Sequence, residues 1–316
     1  MFSQPLLPAH YVELFASRKA RVVAVRDEVP GVRTITLSPA RGWRMHRAGQ
    51  HVTVGLAVNG RITTRTYTIS SAPGSVELTV KAQGLASQAL IDAPVGTFVT
   101  LGPAQGDFVL PYGAPPKALF VTAGSGITPI ASMLRSLEVM PDIVHVHYTR
   151  GEMIFGDELR AIRNANYRLI VVDTSAGRSS VESLVPDLAE REAWACGPVG
   201  LLDDMTALYA DRPDKLHVER FRARLVAPPN ATGGAVQFHG RKFQADGVTP
   251  LLRVAEAAGL TPAHGCRMGI CHACDTTLVA GCVRDLRTGD AIAEPGARIQ
   301  LCVCAAAGDV ELGEQQ

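Results

Sequence analysis

Six of the seven cysteines in this chain of 316 residues fall in one stretch: Cys266, Cys271, Cys274, Cys282, Cys302 and Cys304, with only Cys196 elsewhere. Cys266, Cys271 and Cys274 are spaced by four residues and then two, and Cys302 stands further on. Three close thiolates and a distant fourth at that spacing suit a loop wrapped around a [2Fe-2S] cluster. Gly265 and Gly269 fit the same reading, because a loop whose amides must turn inward toward sulfide needs residues without a Cβ. A structural zinc site is the competing reading, but zinc sites usually pair two short Cys-x-x-Cys knuckles, and here there is one, Cys271 to Cys274. A Rieske centre would need two histidines among the ligands, and the order Cys271-His272-Ala273-Cys274 puts cysteine where the second should be.

Two other stretches could hold a cofactor. Arg65-Thr66-Tyr67-Thr68-Ile69-Ser70-Ser71 is followed by Lys81-Ala-Gln-Gly84-Leu-Ala-Ser87. Alternating Tyr and Thr is ordinary strand composition, while Gly84 and Ser87 at a helix start would suit an anion near unpaired amides. Ala123-Gly124-Ser-Gly126-Ile-Thr128-Pro129 closes an apolar strand, and no Gly-Lys-Ser/Thr follows, so it is not a triphosphate-binding P-loop. Pro at the first helical position would sacrifice no hydrogen bond. A purely structural turn explains a glycine pair equally well.

These groups need rigid elements to hold them, and the length suggests two or three domains. Residues 1–18 form an N-terminal extension with one weakly amphipathic stretch, 11–15. Over 19–113, short β-rich runs at 21–25, 33–37, 51–54, 65–69, 76–80 and 97–101 predict an antiparallel barrel or sandwich. Over 114–225, apolar strands at 118–123, 143–148, 169–173, 193–196 and 216–219 alternate with helical patterns at 129–139, 157–164 and 199–209, which predicts an α/β domain on a parallel sheet. A Pro- and Gly-rich linker, 226–234, leads into a third domain at 235–316, with a hairpin around His239-Gly240 and a helix over 251–258.

Gly265-Cys-Arg-Met-Gly-Ile-Cys-His-Ala-Cys274, with Leu301-Cys302 and Gly308-Asp-Val-Glu-Leu312, resembles the end of a plant-type ferredoxin. In that family the fourth ligand stands seven residues before the Asp of an Asp-Val pair. Cys302 stands so before Asp309, and the resemblance implies Cys266, Cys271, Cys274 and Cys302 as ligands in an α+β β-grasp domain, with Cys304 the runner-up. Cys282 and Cys304 then read as small packing residues. The Arg65 to Ser71 stretch resembles the flavin-binding signature of the ferredoxin reductase superfamily. That implies an antiparallel β-barrel with Arg65 on a flavin phosphate, Tyr67 against the ring and Thr68 hydrogen-bonded to it, beside Ser70. Lys81, Gly84 and Ser87 match the phosphate-capping stretch, and a Gly-x-x-Ser there is similar to FAD members, implying FAD over FMN.

Gly124, Gly126, Thr128 and Pro129, taken with Cys196-Gly197-Pro198, resemble the pyridine-nucleotide domain of the same superfamily, where Thr128 and the Cys196-Gly197 pair would flank the nicotinamide. His217-Val-Glu219-Arg-Phe221 closes the domain as the family does, implying Glu219 and Phe221 near the flavin. Sites selective for NAD place an acidic residue at the end of the second strand, whereas Tyr148-Thr149-Arg150 offers a cation there. A solvated surface arginine explains Arg150 equally well, and as a ligand it suits the 2′-phosphate of NADPH over NADH.

Together the resemblances imply an NAD(P)H-dependent reductase that passes electrons through flavin and cluster to an acceptor protein, with the cofactors carrying the chemistry. Residues 281–289 and 299–303 resemble bacterial reductases serving membrane-bound di-iron fatty-acyl desaturases. The alternative is a soluble ring-hydroxylating or acyl-CoA oxygenase, and a third class is a sensor or structural protein without turnover. Lys plus Arg total 31 against 30 for Asp plus Glu, which argues against a nucleic-acid partner. No apolar run is long enough to cross a bilayer, so contact with a membrane acceptor would be peripheral. Met1-Phe2-Ser3-Gln4-Pro5 opens no signal peptide, and the expected setting is a reducing cytoplasm.

Overall fold

The computed structural model describes residues 19–58, 61–175, 177–221, 225–226, 229–265, 267–269 and 272–315. The extension 1–18, part of the expected linker, and two of the expected ligands, Cys266 and Cys271, lie outside the described residues. The chain divides into two compact units, Met1–Arg220 and Phe221–Gln316.

The first unit opens with β1 (Lys19–Val29), β2 (Val32–Pro39), β3 (His51–Val58), β4 (Arg61–Thr68), β5 (Val76–Lys81), helix α1 (Leu85–Ile91) and β6 (Phe98–Leu101). All pair antiparallel in the order β4-β3-β6-β1-β2-β5. A bridge between Ile69 and Leu78 joins the two ends into a barrel. Alternate residues point inward, so Val22, Ile35, Val52, Val54, Leu78 and Val99 fill its interior.

The second sheet is parallel. Its elements are β7 (Lys117–Ala123), α2 (Ile127–Ser136), β8 (Asp142–Thr149), α3 (Gly156–Ala161), β9 (Tyr167–Asp173), α4 (Val181–Leu184), β10 (Glu192–Cys196), α5 (Val199–Leu208) and β11 (Leu216–Glu219), with strand order β11-β10-β7-β8-β9. The strands carry near-continuous apolar runs because helices cover both faces. The order reverses between β7 and β10, and ligands of open α/β sheets lie outside the carboxyl ends of strands at such a switch point.

Barrel and parallel sheet fold against each other as one unit. The Ser132 hydroxyl donates to the Ser71 carbonyl at 2.6 Å, Arg135 to the Ser70 carbonyl at 2.6 Å, and the Trp194 indole to the Val109 carbonyl at 3.2 Å.

The second unit holds β12 (Gly234–Phe238), β13 (Arg241–Ala245), α6 (Leu251–Ala257), β14 (Asp275–Asp285), β15 (Ala291–Ile292), β16 (Arg298–Gln300) and β17 (Cys304–Leu312). The sheet runs β13-β12-β17-β14-β15, with β16 on β14, and only β12 and β17 are parallel. Leu251, Leu252 and Ala255 of α6 pack into its core, giving the expected α+β grasp. His239 and Gly240 at φ 48° and 69° turn the first hairpin, as a two-residue turn matched to strand twist requires.

Candidate functional site

The switch point gathers the predicted nucleotide residues. β7 ends in a 3-10 turn, Gly124–Gly126, that leads into α2. The helix begins two residues earlier than its sequence pattern suggests, so Pro129 is its third residue and not its first. It still lies in the first turn, where a backbone N–H has no helical acceptor to lose. The Thr128 hydroxyl is buried and donates to the Ser125 carbonyl at 3.0 Å, closing the turn on itself.

Gly126 is required by packing. A Cβ there would stand 2.1 Å from the Cys196 carbonyl oxygen, so the ends of β7 and β10 touch only because this residue is glycine. Gly124 instead has open space but a left-handed φ of 53°. Gly197 packs beside Ala123 and Leu201.

From Cys196 the site continues toward the barrel. Glu219, the last residue of β11, pairs in register with Cys196. Burial, and then the Glu219 carboxylate, push the Cys196 thiol well above its ordinary range, so it stays a neutral thiol. Glu219 reaches His51 of β3, whose Nδ1 lies 3.7 Å from its carboxylate. His51 in turn pairs in register with Thr68 of β4, which puts both side chains on one face of the barrel sheet. Gly126, Cys196, Glu219, His51 and Thr68 thus form a continuous line from the glycine turn to the flavin-signature strand.

His51 was not among the residues singled out by sequence, because a histidine in His51-Val-Thr-Val54 reads as strand composition. The one local signal was Gly106, at φ 105°, where a Cβ would stand only 3.0 Å from the His51 ring.

Tyr67 is half-buried on β4, and burial raises its phenol to about 12, leaving a neutral ring available for stacking. Arg65 is half-buried and donates to the Thr64 carbonyl at 2.7 Å. Two predicted flavin residues have their hydroxyls turned to the protein. Ser70 donates to the Glu77 carbonyl at 3.1 Å and meets Thr79 at 2.9 Å, so it braces the barrel wall. Ser87 donates to the Gly84 carbonyl at 2.9 Å and accepts from the Gln83 and Gly84 amides, shaping the turn before α1. Lys81 is exposed at the end of β5. Arg150 is exposed just past β8, and Phe221 is exposed two residues beyond β11.

An open cleft of 920 Å³ lies toward the other end of α2, lined by Glu28, Ser71, Glu77, Arg135, Glu158 and Arg160 among others, and contains none of the predicted cofactor residues.

In the second unit Cys274 and Cys302 are buried. Arg267, Gly269 and His272 have left-handed φ of 59°, 72° and 55°, a backbone that coils tightly and would be costly without something to wrap. A Cβ at Gly269 would collide with the Arg287 guanidinium, 2.4 Å away. Cys304 is a sheet residue, paired in register with Asp285, whereas Cys302 sits in the turn ahead of β17. Two buried cysteines beside left-handed backbone at Arg267, Gly269 and His272 fit a small iron–sulfur cluster.

Comparison with known proteins agrees with this fold. Residues 236–307 match the 2Fe-2S iron-sulfur cluster binding domain family and residues 38–110 the oxidoreductase FAD-binding domain family. The chain is 42% identical to the NADPH oxidoreductase of Mycobacterium tuberculosis, over 98% of this chain and 89% of that one. It is 31% identical to the stachydrine N-demethylase reductase subunit Stc4 of Rhizobium meliloti, over 83% and 86%. Phthalate dioxygenase reductase shares the fold with a TM-score of 0.66 at 22% identity, covering 94% of this chain and 97% of that one. The chain belongs to the ferredoxin reductase superfamily, as an NAD(P)H-dependent flavin and iron–sulfur oxidoreductase that carries electrons from the nicotinamide through FAD to a [2Fe-2S] cluster.

Proposed function

We propose that the donor is NADPH, that its nicotinamide meets the flavin along the line from Gly126 to Thr68, and that the final acceptor is an oxygen-activating iron enzyme. The observation that carries this reading is the convergence of Gly126, Cys196, Glu219, His51 and Thr68 at the switch point. Bound flavin supplies the conversion of a two-electron hydride into single electrons, and the cluster supplies their exit.

The chain's own residues position and insulate. The open space beside Gly124 would leave room for a nucleotide, while Gly126 lets the ends of β7 and β10 close against each other. Thr128 and the neutral Cys196 thiol would wall the nicotinamide side without introducing charge. Arg65 would neutralise a flavin phosphate, Tyr67 would pack on the ring, and Thr68 would hydrogen-bond to it. Glu219, beside His51, would accept or return a proton at a bound flavin. Pro129 would hold the first turn of α2 open toward the nucleotide, with Gly197 opposite. Cys266, Cys271, Cys274 and Cys302 would hold the cluster.

NADPH is supported by the exposed Arg150 past β8 and by the name of the Mycobacterium tuberculosis relative. Arg150→Glu should raise the KM for NADPH about tenfold and leave that for NADH unchanged, the loss of one charge-assisted contact.

Two acceptors of the proposed class can be told apart. A membrane di-iron fatty-acyl desaturase is supported by the resemblance at 281–289 and 299–303. A soluble oxygenase is supported by the relative named as an N-demethylase reductase subunit. Reconstitution with each, scored as product per NADPH consumed, decides between them. Turnover with the soluble oxygenase alone would remove the desaturase reading.

A further inference from the structure

The cluster loop of the second unit is ringed by as many arginines as carboxylates, yet their depths differ. Arg287 donates to the Gly269 carbonyl in the middle of the loop at 2.8 Å and pairs with Asp285 at 2.6 Å. His272, inside the loop, and Arg298, on β16, share Asp275, at 3.2 and 3.4 Å. The arginine side chains are exposed to 35% for Arg287 and 66% for Arg298, while Asp285 and Asp275 are exposed to only 13% and 10%. Arg267 and Glu256 are bonded to each other and about equally exposed, so they cancel. In two of the three pairs the carboxylate lies inward and the guanidinium outward.

A partner touching this loop meets cations first, although the local sum is near zero and the whole chain carries only +1. Asp290 and Glu294, on the turns either side of β15, are exposed too and serve as a control for charge elsewhere on the unit. We infer that the cluster face is an electron-exit docking surface built for an acidic patch on the acceptor protein, steered by Arg287 and Arg298. This rests on the reading that electrons leave through the cluster. Attraction between such patches acts on association rate and weakens as salt shortens the Debye length to about 8 Å at physiological ionic strength.

The test uses the full-length holoprotein with two small haem acceptors of opposite surface charge, acidic cytochrome b5 and basic cytochrome c, each followed across a salt series. Cluster reduction by NADPH is read first in every variant. Its failure in the wild-type protein would defeat the electron-path reading itself and not the charge argument. With the cluster reduced, cytochrome b5 reduction should slow as salt rises, and cytochrome c reduction should not. Arg298→Glu should slow cytochrome b5 reduction about tenfold at low salt, the scale on which steering acts. Arg298→Gln should give an intermediate rate, and Glu294→Lys no slowing. A cytochrome b5 rate indifferent to salt and to Arg298→Glu overturns the inference. So does co-sedimentation with phosphatidylglycerol vesicles that Arg298→Glu abolishes while the cytochrome b5 rate stands, since that assigns the face to an anionic membrane.

Discussion

His51 and Glu219 meet between the barrel and the parallel sheet, with the histidine Nδ1 3.7 Å from the carboxylate. His51 lies opposite the flavin-signature Thr68, and Glu219 lies beside Cys196 at the switch point. This contact therefore links the barrel to the end of the parallel sheet, across the line proposed for hydride transfer. His51→Ala should slow flavin reduction by NADPH about tenfold in anaerobic stopped flow, a barrier change of about 1.4 kcal/mol, with flavin content unchanged. An unchanged rate would show that the pair is incidental.

The two glycines of the turn should fail differently. Gly126→Ala forces a Cβ against the Cys196 carbonyl, where backbone meets backbone and neither can yield. Thermal unfolding should report a loss of about 2 kcal/mol, with nucleotide binding lost as well. Gly124→Ala meets no atom within 4 Å and strains only its left-handed φ. About 1 kcal/mol is expected there, with nucleotide binding weakened but present.

Arg135 couples the elements in another way. It donates to the Ser70 carbonyl at the end of the flavin-signature stretch, grips Glu158 through Nε and Nη2 at 2.7 and 2.5 Å, and lies over the Phe155 ring at 4.4 Å. Arg135→Met should cost about 2 kcal/mol in urea unfolding, the usual loss when a charged donor leaves partly buried acceptors. Glu158→Gln should cost less, because Glu158 is the more exposed partner.

Most of this architecture was legible in sequence because strand and helix periods differ and the cysteine spacing is specific. Barrel, parallel sheet and grasp domain all follow from those signals, and the strands of the parallel sheet were placed to within two residues. The start of helix α1 was expected at Gly84, but its extent was not, since seven residues give too few turns for an apolar stripe to show. Helix α2 was placed late because Pro129 looks like a first residue when the preceding 3-10 turn is invisible. At the site, motif residues could be read, but their hydroxyl partners could not. Ser70 and Ser87 belong to the signature stretches and yet bond their own backbone surroundings. His51 escaped notice because its role depends on Glu219, which is remote in sequence and reached only through the fold.

Acid should loosen the parallel sheet. The Thr122 hydroxyl lies 2.8 Å from both His145 and His147, and the Tyr167 hydroxyl lies 3.0 Å from His145, all buried or nearly so. Burial, then nearby Arg160, lowers His147 to about 4, and burial, then His147, lowers His145 well below its ordinary value. Both are neutral when folded, while the unfolded chain takes up their protons near 6.5. Stability is therefore full above pH 6.5 and falls as pH drops from there toward 4, by about 3 kcal/mol for His147 alone. Urea midpoints measured across that range should fall steeply in the wild-type protein and less in His147→Gln. Parallel profiles would contradict the assignment.

The choice of fourth ligand is testable on the protein as isolated. Cys302→Ser should abolish the [2Fe-2S] EPR signal of the reduced protein. Cys304→Ser should retain it with some loss of stability, since Cys304 is buried in the sheet opposite Asp285. A retained signal in the first variant with loss in the second would exchange their roles.

The electron path itself is tested most directly by mixing the oxidised protein with NADPH under anaerobic conditions and following the flavin absorbance and the cluster EPR signal together. The flavin band should bleach first and the cluster signal should rise after it. In Cys302→Ser the flavin should still bleach, and ferricyanide should still be reduced, with no cluster signal. Reduction of the cluster by NADPH in protein stripped of flavin, or a flavin that NADPH leaves oxidised, would contradict the account.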